Sequence, residues 1–132
     1  EEYALDLKKL ARKLNKPIVL EEFGISRDDN SYDVSSEVVY RNKYFKFIFQ
    51  SILNYAQNLK QMSGVNFWAW GGEGRPRVPK AIWKTGDDFI GDPPHEYQGW
   101  YSVYDKDIST LIIIQNFAED FTSLNSELEG TK

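Results

Sequence analysis

Two carboxylates stand at the end of a short apolar run near the start of the chain. The predicted strand at residues 18–22 ends in Glu21 and Glu22, and an aromatic residue and a glycine follow. An apolar run of this length, bounded by proline and glycine, is typical of a buried strand in a parallel sheet. Burying an unpaired carboxylate costs free energy, so two of them at a strand end need a reason. At the carboxyl end of a parallel strand, the commonest reason is an active site.

A second short run ends in tryptophans instead of acids. Residues 65–70 are predicted to form another strand, which contains Trp68 and Trp70 and is followed by two glycines. The face of an indole ring is slightly negative and suits the C–H groups that a pyranose ring exposes. An acid at one strand end and an aromatic platform at the next therefore suggest carbohydrate chemistry.

Three helices must position these strand ends. Apolar residues recur at helical spacing over residues 1–14, 37–61 and 109–124. The inner face predicted for the second helix consists of Arg41, Phe45, Ile48, Ile52, Ala56 and Leu59. Residues 71–102 are rich in Gly, Pro, Asp and aromatics and are predicted to be one long loop, and loops of that length are usually functional or disordered. The five aromatics from Trp83 to Tyr101 argue against disorder.

This alternation of helices and strands predicts an α/β fold with a parallel sheet and crossover helices. Two parallel strands do not make a stable sheet, and no internal repeat supplies more. The sequence also begins inside a helical pattern and without Met. We therefore expect the chain to be a segment of a larger α/β protein.

Composition argues against several other classes of function. The net charge is −4 and the pI is about 5.0, with acids and bases interspersed, so the basic face of a nucleic-acid-binding protein is missing. Mean hydropathy is −0.55 and no apolar run approaches the roughly 20 residues that span a bilayer. The sequence contains no cysteine, which excludes disulfides and thiolate metal sites but leaves the cellular compartment open.

The two strand motifs together resemble strands seven and eight of glycoside hydrolase family 5. Residues 17–24 read Pro-Ile-Val-Leu-Glu-Glu-Phe-Gly and residues 67–71 read Phe-Trp-Ala-Trp-Gly. Within the family, the chain is most similar to bacterial endo-β-1,4-mannanases, and the segments 83–96 and 98–105 share that similarity. The resemblance implies a (β/α)8 TIM barrel, of which residues 1–132 would supply helix six, strand seven, helix seven, strand eight, a long loop and helix eight, with no second domain.

The resemblance implies a retaining glycosidase in which Glu22 is the nucleophile. Strand periodicity does not choose between the two acids, because both faces of the strand are apolar. The alternative is that Glu22 is a charge at a helix N-terminus or a salt-bridge partner. Glu21, which points to the opposite face, is expected to be a structural acid paired outside the reaction centre. The family's Asn-Glu-Pro motif, which supplies the general acid/base, is absent from this chain. We therefore expect that residue to come from upstream sequence and the isolated chain to be inactive.

The aromatic residues have two candidate roles. The resemblance makes Trp68 the platform under the sugar at the cleavage point, with a buried core position as its alternative, whereas Trp70 is expected to be a core residue. Trp100 and Trp83 are candidates for outer sugar subsites or for pinning the long loop. His95, the single histidine, is a candidate hydrogen-bond donor to a substrate hydroxyl or a plain surface residue.

No cofactor and no metal are expected. The sequence offers no second histidine and no catalytic-triad motif, and Asp87, Asp88 and Asp92 lack the ligand spacing of a calcium loop. The resemblance implies two partners, a β-mannan or related β-1,4-linked polysaccharide and the remainder of the barrel. A cellulase or another family 5 β-glucan hydrolase stays open, as does a non-catalytic carbohydrate-binding fragment. Members of the family are commonly secreted, or periplasmic, to reach polysaccharide.

Overall fold

The computed structural model describes residues 9–59 and 62–129. Within these ranges α1 covers residues 9–14, and the first part of its predicted helix, residues 1–8, lies outside the described residues. The remaining elements are β1 (Ile18–Leu20), a 3₁₀ turn (Asp28–Asn30), α2 (Val39–Leu59), β2 (Met62–Val65), β3 (Trp70–Gly72), β4 (Val103–Tyr104) and α3 (Ile108–Glu129). No helix of the described chain is long and apolar enough to cross a membrane.

The alternation of helices and strands confirms the predicted α/β class. Strands β1 and β2 pair in parallel with one irregularity between Ile18 and Val19, and two backbone hydrogen bonds extend the pairing beyond β2. The amide of Asn66 donates to the carbonyl of Leu20 at 2.9 Å, and the amide of Trp68 donates to the carbonyl of Phe23 at 2.7 Å. The two strands therefore end at the same edge, where Glu22 and Trp68 follow them. The assignment of this unit to a particular part of a barrel stays a prediction.

The predicted strand bounds are partly wrong. The first strand stops at Leu20 instead of residue 22, and the second is Met62–Val65 instead of 65–70. Trp70 belongs to the separate strand β3, which pairs in parallel with β4. The reason is a change of partner, because the amide of Ala69 bonds to the carbonyl of Tyr101 at 3.3 Å instead of continuing along β1.

A cluster of aromatic side chains forms the core between the helices and the strands. Of the residues predicted for the inner face of α2, Arg41, Phe45, Ile52 and Ala56 are buried and Ile48 is half-buried, while the side chain of Leu59 lies outside the described part. Phe23 lies between Phe45 and Phe49, with ring centroids 4.8 and 5.4 Å away. Phe49 stacks on Phe117 of α3 at 4.3 Å. Since Phe23 directly follows Glu22, burial of its ring in this cluster fixes the end of β1.

Candidate active site

A hollow of about 430 Å³ opens where β1 and β2 end. Its walls consist of Glu22, Phe23, Gly24, Trp68, Pro93, Glu96 and Tyr101. Its volume lies within the range of about 300–1,000 Å³ that is typical of small-molecule sites. The structure thus brings the predicted nucleophile and the predicted sugar platform to the same hollow, which we call the first hollow.

The carboxylate of Glu22 is exposed to solvent although its neighbour Phe23 is only 7% exposed. Within the described part of the chain, no hydrogen bond or ion pair engages Glu22, so its salt-bridge alternative has no partner there. Glu21 is also exposed, and it is not among the walls of the hollow. A buried aromatic anchor next to a free carboxylate gives Glu22 a fixed backbone and an accessible side chain.

The backbones of the two strand ends touch at Gly24. A Cβ atom placed on Gly24 would lie 2.2 Å from the carbonyl oxygen of Trp68, which is far closer than real contacts allow. The hydrogen bond from Trp68 to Phe23 lies beside this contact. Only glycine fits between the strand ends, and its small size lets Glu22 and Trp68 share one hollow.

A second hollow of about 520 Å³ adjoins the first. It is lined by Tyr32, Ile82, His95, Glu96, Tyr97, Trp100 and Tyr101, so Glu96 and Tyr101 belong to both hollows. Trp100 packs against Tyr32 from the loop after β1, with ring centroids 4.6 Å apart. The His95 side chain is 83% exposed, and its Nε2 lies 3.8 Å from a carboxylate oxygen of Glu96. The second hollow therefore contains two of the predicted substrate-binding residues, Trp100 and His95.

The other two tryptophans lie elsewhere. Trp83 stacks on Phe89 at 5.1 Å, its Nε1 donates to the carbonyl of Asp87 at 3.1 Å, and it lines neither hollow. This arrangement matches the alternative in which Trp83 pins the loop. The prediction that Trp70 is a buried core residue is wrong, because its side chain is 55% exposed. Trp70 lies on β3, which within the described chain pairs only with β4.

Sequence reasoning missed several residues of the two hollows. Glu96 and Tyr101 line both, Tyr32 lines the second and Pro93 lines the first. Loop residues have no periodicity that would reveal which way they point. For Pro93, Glu96 and Tyr101, the available signal was their proximity in sequence to His95 and Trp100, which were singled out, whereas Tyr32 lies in the loop after β1 and has no such neighbour.

A buried ion cluster holds the loop after β1 against β4. Arg27 Nη2 donates to both carboxylate oxygens of Asp107 at 2.7 Å. Arg41 Nη1 donates to the carbonyl of Ser102 at 2.9 Å, and Arg41 Nε donates to the carbonyl of Ile25 at 3.2 Å. Burial, together with the nearby charge of Arg27, lowers the pKa of Arg41 to about 10. The cluster ties the backbone just past Glu22 to the backbone beside Tyr101.

Among residues 9–59 and 62–129, no group of three or more His, Cys, Asp or Glu side chains is placed to hold a metal ion. What the hollows offer instead is a free carboxylate at a strand end, a half-buried indole and further aromatic faces, which are the groups that bind and cleave glycosides.

A sequence model of the family described as GH family 5 beta-mannosidase-like matches residues 1–126. The chain belongs to glycoside hydrolase family 5. A family 5 mannosidase from Rhizomucor miehei is similar in structure with a TM-score of 0.82 and 38% identity, over 96% of this chain and 31% of that one. A mutant of that mannosidase in complex with mannosyl-fructose matches with a TM-score of 0.79 and 39% identity, over 96% of this chain and 32% of that one.

A curated mannan-degrading enzyme is also similar in sequence. Mannan endo-1,4-beta-mannosidase 5 from Arabidopsis thaliana is 28% identical over 92 residues, which is 70% of this chain and 19% of that protein. The chain thus spans about a third of the crystallised mannosidases and about a fifth of this relative. The predicted resemblance to family 5 is confirmed, and the roles of individual residues stay predictions.

Proposed function

We propose that this chain is the part of a retaining β-mannoside hydrolase that carries the nucleophile, Glu22, and the sugar platform, Trp68. The observation that supports this most is their position on one hollow at the ends of adjacent parallel strands, in a chain of glycoside hydrolase family 5. The proposed substrate is β-1,4-mannan or a related polysaccharide, because the similar proteins include a mannosidase crystallised with mannosyl-fructose and a mannan endo-1,4-beta-mannosidase.

The first chemical step is attack by Glu22. A carboxylate oxygen of Glu22 forms a bond to the anomeric carbon while the bond from that carbon to the leaving oxygen breaks. A second carboxyl group, about 5–5.5 Å from the first in retaining enzymes, donates its proton to the leaving oxygen. The product is a glycosyl ester on Glu22. The proton donor is expected from the part of the barrel that this chain does not contain.

The second step releases the sugar. The carboxylate that gave up its proton accepts one from water, the water oxygen bonds to the anomeric carbon, and the ester bond to Glu22 breaks. Two inversions restore the original configuration, which is the meaning of a retaining enzyme. Trp68 supports the reacting ring through its indole face. Trp100 and His95 on the second hollow are proposed to contact the neighbouring sugar, and Trp83 is proposed only to hold the loop.

Adjacent glutamates provide a matched test of the nucleophile. In the full-length protein, Glu22→Gln removes the nucleophilic oxygen but keeps the shape, so turnover of a β-1,4-mannan oligosaccharide is expected to fall by several orders of magnitude. Binding of the same oligosaccharide should persist, since Trp68 is unchanged. Glu21→Gln is the control, because Glu21 lies outside the hollow, and it should turn over nearly as fast as the wild type. Retained turnover in the Glu22→Gln protein would remove the assignment.

Substrate choice needs a separate measurement. Mannose and glucose differ by one axial hydroxyl, so initial rates on mannan and on carboxymethylcellulose separate a mannanase from a cellulase. We expect faster hydrolysis of mannan. Endo action is expected to lower the viscosity of mannan before free mannose accumulates, whereas exo action would release mannose from the start. A protein that binds mannan and hydrolyses neither polymer would instead be the non-catalytic carbohydrate-binding alternative.

A further inference from the structure

Asp92 is a buried carboxylate that the mechanism does not use. Its residue is only 7% exposed, and one carboxylate oxygen, Oδ2, accepts hydrogen bonds from two successive backbone amides. These come from Gly99 at 2.6 Å and from Trp100 at 3.0 Å. Within the described part of the chain, the other oxygen, Oδ1, is buried and accepts none. A carboxylate in this position is costly to bury and therefore needs a structural or functional reason.

These two hydrogen bonds close a loop at its neck. The loop of residues 92–100 begins at Asp92 and comes back to the side chain of Asp92 at its end. Hydrogen bonds from one side chain within the loop stabilise its interior. Gln98 Nε2 donates to the carbonyls of Pro93 at 2.8 Å and of Glu96 at 3.1 Å. Closing a loop at its ends removes much of the conformational freedom of the residues between them. The residues so ordered include His95, Glu96 and Trp100, which line the hollows.

The neck of the loop is seated against the strand ends. Gly91 has φ +105° and its Cβ would lie 2.3 Å from the Cβ of Ala69, the residue after Trp68. Gly99 has φ +93° and its Cβ would lie 2.9 Å from the hydroxyl of Tyr104 on β4. Both positions require glycine, because the backbone is left-handed and the neighbours leave no space. The contact between Gly91 and Ala69 therefore fixes the start of the loop next to Trp68.

We infer that Asp92 is a positioning residue for the sugar site, where it holds the 92–100 loop so that Glu96, Trp100 and Tyr101 face the substrate. This inference rests on the proposed function, since the placement of these walls matters to activity only if the hollows hold a sugar chain. Asp92 is not a wall of either hollow and touches no substrate itself.

The acceptor oxygen, and not the charge, carries this role. Burial raises the pKa of Asp92, and the backbone amides of Gly99, Trp100 and Tyr101 oppose that rise. Asparagine has the same shape and offers one carbonyl oxygen, which can accept both amides as Oδ2 does. Its NH₂ group would occupy the place of Oδ1, which accepts no bond from the described residues. Asp92→Asn should therefore preserve the loop, whereas Asp92→Ala leaves two amide donors without an acceptor.

The test compares three variants of the full-length protein on β-1,4-mannotetraose. Asp92→Ala is expected to raise KM about tenfold with kcat nearly unchanged, the effect of weakening one or two aromatic contacts to the sugar. Asp92→Asn is expected to keep the wild-type KM. Asp88→Ala is the matched control, because Asp88 lies on the same long loop, is exposed and accepts one amide hydrogen bond, from Arg75 at 2.9 Å.

The outcomes separate the inference from the proposed function. The inference would be overturned if the Asp92→Ala protein had the KM of the wild type and a lower apparent kcat that is explained by a smaller folded fraction. The proposed function would still stand in that case. A wild-type protein without hydrolytic activity would overturn the proposed function and this inference with it. Should Asp92→Ala fail to fold, Asp92→Glu keeps the charge but moves the acceptor by one methylene. Its KM is expected to rise in the same way, and an unchanged KM would contradict the inference.

Discussion

Gly24 gives the sharpest structural prediction, because its lack of a side chain lets the backbones that carry Glu22 and Trp68 touch. The Cβ of an alanine at this position would lie 2.2 Å from the carbonyl oxygen of Trp68, and an ordinary contact begins at 3.4 Å. The strand ends must therefore move apart by about 1.2 Å, the difference between these two distances. Such overpacking costs about 1–3 kcal/mol of folding free energy.

A shift of that size also affects catalysis. Misplacing reacting groups by about 1 Å can lower the rate about 100-fold. We expect Gly24→Ala in the full-length protein to lower kcat/KM for a mannan oligosaccharide by about that factor, measured on protein shown to be folded by circular dichroism. The measurement needs an alanine substitution at a glycine without close neighbours as its control.

Gly64 in β2 provides that control, since a Cβ placed there meets no atom of the described residues within 4 Å. Gly64→Ala should therefore leave kcat/KM nearly unchanged and change the free energy of unfolding little. A folded Gly24→Ala protein with the kcat/KM of the wild type would refute the reasoning. It would mean that the spacing of Glu22 and Trp68 is not set by the contact between the strand ends.

Three further predictions concern the core, the platform and the acid response. Asp107→Ala leaves two buried arginines without their counter-charge and should lower the free energy of unfolding in urea by about 3–5 kcal/mol. Asp105→Ala removes a surface pair and should lower it much less. Equal losses of stability would contradict the role of the buried cluster. Trp68→Ala should lower kcat/KM at least about tenfold, and Trp83→Ala, which lies away from both hollows, should lower it little. A larger loss of kcat/KM in Trp83→Ala than in Trp68→Ala would contradict the assignment of Trp68 as the sugar platform. Burial raises the pKa of Asp92, so the folded state binds the proton of this carboxyl more tightly than the unfolded chain does. The stability that comes from this proton is therefore lost as the pH rises through the raised pKa. The Asp92→Asn protein should therefore gain stability relative to wild type between pH 3 and pH 6, and a constant difference would argue against a raised pKa.

The fold was predictable where the pattern is local. The 3.6-residue period of α2 identified its inner face, including Arg41, whose charge is satisfied by carbonyls and a carboxylate brought from elsewhere. The strand bounds were not predictable in this way. The chain changes its bonding partner at Ala69, and the partner, Tyr101, lies more than thirty residues further along. No local pattern contains that information.

The site divides in the same manner. Glu22 and Trp68 stand out in the sequence because each follows a short apolar run, and parallel pairing brings such ends to one edge. Glu96 lies within the 92–100 loop, whose neck is closed by two hydrogen bonds, and Tyr101 directly follows that loop. That closure depends on the buried carboxylate of Asp92, which in the sequence is one of several acids in a long loop.

The central claim is that the carboxylate of Glu22 forms the covalent bond to the sugar. A 2-deoxy-2-fluoro mannosyl fluoride slows the breakdown of a glycosyl ester more than its formation, so a retaining enzyme accumulates the ester. Digestion of the inactivated full-length protein and mass spectrometry of its peptides then locate the label. We predict one fluorosugar per molecule, on Glu22. A label on Glu21 or Glu96, or hydrolysis without any labelled peptide, would contradict the account.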